Sequence, residues 1–356
     1  MASQLLKSHL FEAAYKATAD GIKAKDYARS DPWIALVPRL GTLCGVSFEM
    51  THASSLEELR KAVAERALKA GSYGAFLLTA SGLAADTTTL PNAAQTARVA
   101  ALELLFHTYF HTTKGQEAVW IVSIPSNYTT WPHLQMAGAT VANILSSLNA
   151  GGTERFSDTD RKHIATAAQT GLAWTLKALI VLDDLQTGSK AMTLLKYWFG
   201  NDTTTDTELT SFAEKMRAAL RKIANKLNGG TAVVTDFVPI RTSSDPKDLG
   251  ARSSNAFVVG AEAQDVIYIE EGFFSKNSGN VFQNDGRHWA RIMVHEMTHR
   301  EAATVDKRYG WAGIAPSTGK ISPADAMVNA DNWAIFVADA AGVMTATDIA
   351  RATNGV

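Results

Sequence analysis

The feature that most constrains this chain is His295-Glu296-Met297-Thr298-His299. On a helix, side chains four apart lie on one face, one turn from each other, so the two imidazoles converge. Two neutral imidazoles aimed at one point make most of a zinc site. Glu296 falls beside that point, where it can take a proton from an attacking water. The flanks predict the helix itself. Asn284-Asp285-Gly286 offers an N-cap, and Trp289, Ile292, Met293 and Val294 supply apolar side chains to bury.

A third protein ligand decides the kind of site. A His-x-x-Gly-x-x-His/Asp continuation would put glycine at 302 and a ligand at 305, but these positions hold Ala302 and Val305. Asp306 follows, a hard oxygen ligand, and the chain turns at Tyr309-Gly310. The stretch Ala303-Thr304-Val305-Asp306-Lys307-Arg308-Tyr309-Gly310 resembles the Gly-Thr-x-Asp-x-x-Tyr-Gly motif of the aspzincins, the family of deuterolysin and the lysine-specific metalloendopeptidases. The resemblance implies that Asp306 joins His295 and His299 in a zinc site and that Tyr309 steadies the transition-state oxyanion. Two features depart from the family. Ala303 stands where it has glycine, and the link from His299 to Asp306 is short.

Two further stretches carry the same resemblance. Asn329-Ala330-Asp331-Asn332-Trp333 is similar to the family's Asn-Ala-Asp-aromatic helix, whose Asp faces the specificity pocket in lysine-specific members. Asp331 is therefore expected to bind substrate, with capping or orienting a histidine ligand as its rival role. Trp198-Phe199-Gly200 is similar to the Trp-Phe-Gly after the family's first long helix, so the signals span roughly residues 153–345. The fold class implied is α+β: a zincin-like catalytic domain, mostly helical with a small sheet, over 151–356. The activity implied is zinc-dependent hydrolysis of a protein or peptide substrate, with cleavage before lysine. The alternative is a binding or delivery protein whose zincin-like half is degenerate. His288 shares the helix face of the two histidines but lies nearly two turns from His295, and reads as a neighbour of the site.

Composition narrows the partners. A net charge of −1 gives no global case for nucleic acid or an anionic membrane, and no Lys/Arg run supplies a local one. No stretch reads as a membrane span. Cys44 is the one cysteine, so no intrachain disulfide forms, unlike the secreted fungal members of the family. The N-terminus reads as a short amphipathic helix, not a signal peptide. Synthesis in a reducing cytoplasm, with export as an effector by a signal-independent route, is the expectation. The oligomeric state is left open.

Residues 1–150 read as a separate mixed α/β domain ending at the linker Asn149-Ala150-Gly151-Gly152. Helices are expected over 1–30, 54–70, 92–112 and 136–148, and strands over 34–40, 44–48, 75–79 and 118–124. His107 and His111 share helical spacing but sit among aromatic residues without a glutamate between them, so they read as packing groups. Ser157-Asp158 caps a long helix to Leu182 with Ile164, Ala167, Leu172, Leu176 and Leu179 inward. A second helix carries Leu209, Phe212, Met216, Leu220, Ile223 and Leu227 and stops at Asn228-Gly229. Strands follow near 232–234, 255–259 and 266–274, the last proposed as the edge that binds extended substrate. Ser322-Pro323 opens the Asn-Ala-Asp helix.

Overall fold

The computed structural model describes residues 71–80, 83, 89–92, 99, 119–122, 136, 138–149, 156–228, 232–236, 255–258, 265–274 and 280–356. The elements expected over 1–30, 34–40, 44–48 and 54–70, most of that over 92–112, and Cys44, His107 and His111 lie outside them. In chain order the elements are α1 (Tyr73–Ala80), β1 (Trp120–Val122), α2 (Val141–Asn149), α3 (Asp158–Val181), α4 (Lys190–Phe199), α5 (Asp206–Asn228), β2 (Val233–Thr235), β3 (Ala256–Val258), β4 (Val266–Ile269), α6 (Asp285–Ala302), α7 (Pro323–Val328), α8 (Ala330–Ala340) and α9 (Ala346–Asn354). Helices dominate and the strands are short, an α+β arrangement.

Contacts divide the chain into two compact units. One comprises Met1–Arg161, Gly229–Ser253 and Ala261–Glu270; the other comprises Lys162–Asn228, Ser254–Gly260 and Glu271–Val356. Neither is one continuous stretch. In the first unit β2 pairs in parallel with β1 on one side and β4 on the other, with Trp120 opposite Val233 and Val234 opposite Ile267. A cut at 150/151 therefore separates two paired strands. Arg161 is buried here and donates from Nη1 to the carbonyl of Ile121 at 2.9 Å.

Residues 75–79, expected as a strand, belong to helix α1. A short apolar run fits either state, and Ala and Leu favour the helix. Gly74 lets α1 lie against α2: a Cβ there would sit 2.5 Å from Asn149 Oδ1 and 2.9 Å from Leu148 Cβ.

The second unit is built around α6, which packs against α5 and α8. All six apolar positions expected to be inward on α5 are buried. Its start is a reciprocal cap, with the Thr205 N–H donating to Glu208 Oε2 (2.8 Å) and the Glu208 N–H to Thr205 Oγ1 (3.3 Å). Phe199 joins α4 to α5 and α8 through ring contacts with Phe212 at 4.7 Å and Phe336 at 5.6 Å.

On α3 the inward face differs from expectation. Ile164 and Ala167 are buried, but Leu176 is exposed, and the buried side continues through Ala168, Trp174, Ala178 and Leu182. The reason is close approach to α6. A Cβ on Gly171 would lie 3.3 Å from Val294 Cγ2, so small residues fill this face, Leu176 turns outward and Leu172 and Leu179 are only half-buried. By length and composition α3 would be able to cross a membrane; in this unit it is a helix with one face in the core. The segment expected as a strand over 266–274 splits into β4 and a 3₁₀ turn, Glu271–Phe274. β4 belongs to the first unit, and the strand that touches α6 within its own unit is β3.

Candidate metal centre

The metal-binding motif sits on a helix fixed at both ends. Asn284 caps α6 by accepting the Arg287 N–H at 3.0 Å, as its place in the sequence predicts. Arg287 then donates to Asp348 Oδ2 at 2.7 Å, tying this end to the capping box of α9. Every residue from Ala290 to Thr298 is buried.

At the other end Ala303 closes the helix with φ 53° and ψ 33°, and its N–H donates to the Thr298 carbonyl. This is the left-handed region, which costs an L-residue roughly 1–2 kcal/mol and glycine nothing. Ala303→Gly should accordingly raise stability by about 0.5–1 kcal/mol once the greater freedom of glycine in the unfolded chain is subtracted. Urea unfolding would measure it, and a loss of stability would mean that the cap is not in this conformation in solution.

The segment after the cap is held by α7 and α8. The Val305 N–H donates to the Val328 carbonyl (2.8 Å) and the Ala330 N–H to the Val305 carbonyl (3.1 Å). Asn329, fully buried between α7 and α8, accepts the N–H groups of Lys307 (2.8 Å) and Arg308 (3.0 Å) and donates to the Arg308 carbonyl (2.7 Å). Its amide also donates to Asn332 Oδ1 at 2.7 Å, and Asn332 in turn donates to the carbonyls of Trp198 (2.7 Å) and Ile314 (2.8 Å). One polar chain thus runs from the Trp-Phe-Gly turn to the loop that presents Asp306 and Tyr309.

These constraints bring three ligand atoms together. His295 Nε2 lies 3.1 Å from Asp306 Oδ1, His299 Nε2 lies 3.4 Å from the same oxygen, and the two Nε2 atoms are 3.2 Å apart. His295 Nδ1 is 2.6 Å from a carboxylate oxygen of Asp331, and His299 Nδ1 is 2.7 Å from the Thr304 carbonyl. Both partners only accept, so each Nδ1 carries its proton and, in the neutral ring, each Nε2 is a bare lone pair. Two lone pairs and a carboxylate oxygen facing one another at these distances repel unless a proton or a metal ion lies among them. The sides of this triangle also come within a few tenths of an ångström of the ligand separation around a tetrahedral ion with bonds of roughly 2.0–2.2 Å, which is about 3.3–3.6 Å. The donor set therefore fits zinc, with Asp306 as its most exposed corner.

The electrostatics favour positive charge at the same point. Burial works against charging His295, but Asp331, Asp306 and Glu296 outweigh it and raise its pKa to about 10. Burial likewise opposes ionising Asp306, yet the two histidines hold its carboxyl well below the usual range.

Glu296 is buried with Oε1 4.0 Å from His295 Nε2, beside the triangle and outside it. Burial raises its pKa, against the pull of the two histidines, which makes it a better base than an exposed carboxylate. Tyr309 is half-exposed, its ring nearly parallel to that of His295 (17°, centroids 6.5 Å), and its hydroxyl faces Asp306. Burial, then the charges of Asp306 and Asp331, push that hydroxyl up to about 12, so it remains a donor at neutral pH.

Asp331 is placed differently from a pocket floor. It is 3% exposed; Oδ1 accepts from Arg291 Nη1 and His295 Nδ1, and Oδ2 accepts the Gly310 N–H at 2.6 Å. Both oxygens are engaged and the side chain is buried, so it presents no open face to a substrate ammonium. Its geometry is that of the rival role, orienting a histidine ligand. His288 stands apart from the ligands, its Nε2 3.2 Å from Asn280 Nδ2, with burial and then Arg291 lowering its pKa to about 3. Arg291, Asn329 and Asn332 escape a reading of the sequence. Asn329 opens the Asn-Ala-Asp signal and Asn332 follows it, but the spacing assigns neither a partner, and Arg291 belongs to no motif.

A pair of helical imidazoles joined by a carboxylate, with a buried glutamate beside them, is a group able to hold a metal ion next to a base. Residues 184–338 match the family model of the aspzincins, described as lysine-specific metallo-endopeptidase. The match contains every residue of the site from His295 to Asp331. No curated protein matches the chain.

Proposed function

We propose that this protein is a zinc-dependent endopeptidase, with His295, His299 and Asp306 as the residues that hold the metal. The observation that carries this reading is the convergence of His295 Nε2, His299 Nε2 and Asp306 Oδ1 to within 3.1–3.4 Å of one another. A zinc ion held there would supply Lewis acidity, polarising the scissile carbonyl and acidifying the attacking water. Glu296 takes the proton of that water and passes it to the leaving amine. The protonated Tyr309 hydroxyl donates to the oxyanion as it develops.

Cleavage before lysine, which the family resemblance implies, requires an acid other than Asp331. The single cysteine, Cys44, leaves the chain without an internal disulfide, which supports action in a reducing compartment and the proposal of an effector role there.

The test is direct. The purified chain should bind zinc and hydrolyse an unstructured protein. His295→Ala, His299→Ala and Asp306→Ala should each weaken zinc binding by more than about 100-fold, beyond what losing an outer partner of a ligand costs. A wild-type chain that takes up no zinc at micromolar concentration rejects the site. Zinc uptake without hydrolysis would favour the reading as a binding or delivery protein instead.

A further inference from the structure

Building on the endopeptidase reading, we infer that the face of Trp311 is a subsite for a large apolar, above all aromatic, side chain of the peptide, within two residues of the scissile bond. Three rings lead outward from the ligand triangle. His295 and Tyr309 lie 17° from parallel with centroids 6.5 Å apart, and Tyr309 and Trp311 lie 10° from parallel at 6.2 Å. The outer two are open to solvent, Tyr309 at 43% and Trp311 at 55% exposure, whereas Trp174, Trp198 and Trp333 are buried. An extended peptide advances about 3.3 Å per residue, so one step along this row corresponds to two residues. A peptide whose reacting carbonyl faces the Tyr309 hydroxyl therefore lays a neighbouring side chain over Trp311.

The platform is rigid without its indole. The Gly310 N–H is held by Asp331, the Ala312 N–H donates to the Tyr309 carbonyl (2.9 Å), and the Val356 N–H donates to the Trp311 carbonyl (2.9 Å). Arg308 binds the carbonyls of Gly313 (2.6 Å, from Nε) and Ala312 (2.5 Å, from Nη2). An exposed ring on so fixed a turn is preorganised to stack.

A peptide-library cleavage profile of the zinc-loaded full chain tests this. Phe, Tyr, Trp or Leu should be enriched at one position within two residues of the cleaved bond. Trp311→Ala should lower the preference for phenylalanine over alanine there about 10-fold or more, Trp311→Phe should retain most of it, and both should bind zinc as the wild type does. Lysine enrichment without aromatic preference, or an unchanged ratio in Trp311→Ala, overturns the assignment. A chain that binds zinc and cleaves nothing sinks the endopeptidase reading, and the platform is then tested alone by calorimetric titration of a phenylalanine-containing peptide. Binding to zinc-loaded Glu296→Gln about 10-fold tighter than to Glu296→Gln/Trp311→Ala supports it, and equal binding overturns it.

Discussion

Glu296→Gln is expected to lower kcat by about 10³–10⁴-fold with zinc content unchanged, near the upper end of what a general base contributes. The two side chains have the same shape, and Glu296 lies outside the ligand triangle, so none of the three metal-binding atoms is disturbed. An amide cannot accept the proton of an attacking water. Thermal stability should hold or rise, because a neutral amide is cheaper to bury than the carboxylate whose pKa burial already raises. Single-turnover hydrolysis alongside metal analysis would check both halves. Turnover within about 10-fold of wild type would assign the base elsewhere, and zinc loss would make Glu296 a ligand.

The parts of this site that were legible in the sequence are those whose geometry is local. His295, Glu296 and His299 are placed by helical spacing alone, and the Asn284 cap and the α5 stripe follow from the same periodicity. Asp306 needed the family resemblance, because a turn of unusual conformation at Ala303 brings it back to the helix. The run 75–79 is a helix and not the expected strand because four apolar residues and a threonine do not distinguish the two. α3 failed because the contact with α6 is made by a glycine and alanines, and a pattern that counts large apolar residues faces the wrong way. The polar framework was least legible. Arg291 meets Asp331 across 40 residues and Asn332 meets Trp198 across 134, so only packing shows that they are partners.

That framework sets the other large effect, at Asp331. Asp331→Asn should destabilise the fold by about 3 kcal/mol or more and weaken zinc binding about 10–100-fold. The native carboxylate offers acceptors on both sides, to Arg291 and His295 from Oδ1 and to the Gly310 N–H from Oδ2. An asparagine has one oxygen and one NH₂ group. With its oxygen toward Arg291 and His295, the NH₂ faces the Gly310 N–H; flipped, it faces a guanidinium and an imidazole N–H. Either way donor meets donor in a buried place, and Arg291, itself only 9% exposed, keeps its charge without a counter-ion. His295 keeps at best a neutral acceptor, shared with Arg291, and in the flipped orientation none, so its tautomer is less firmly fixed and its Nε2 less well held for a metal. Combining Asp331→Asn with Arg291→Met separates the two causes. The double variant should recover most of the stability, since the unpaired charge is gone, yet bind zinc as weakly as the single variant. A single variant that melts and binds zinc like the wild type, but changes which peptide bonds are cut, would return Asp331 to the substrate pocket that the sequence suggested for it.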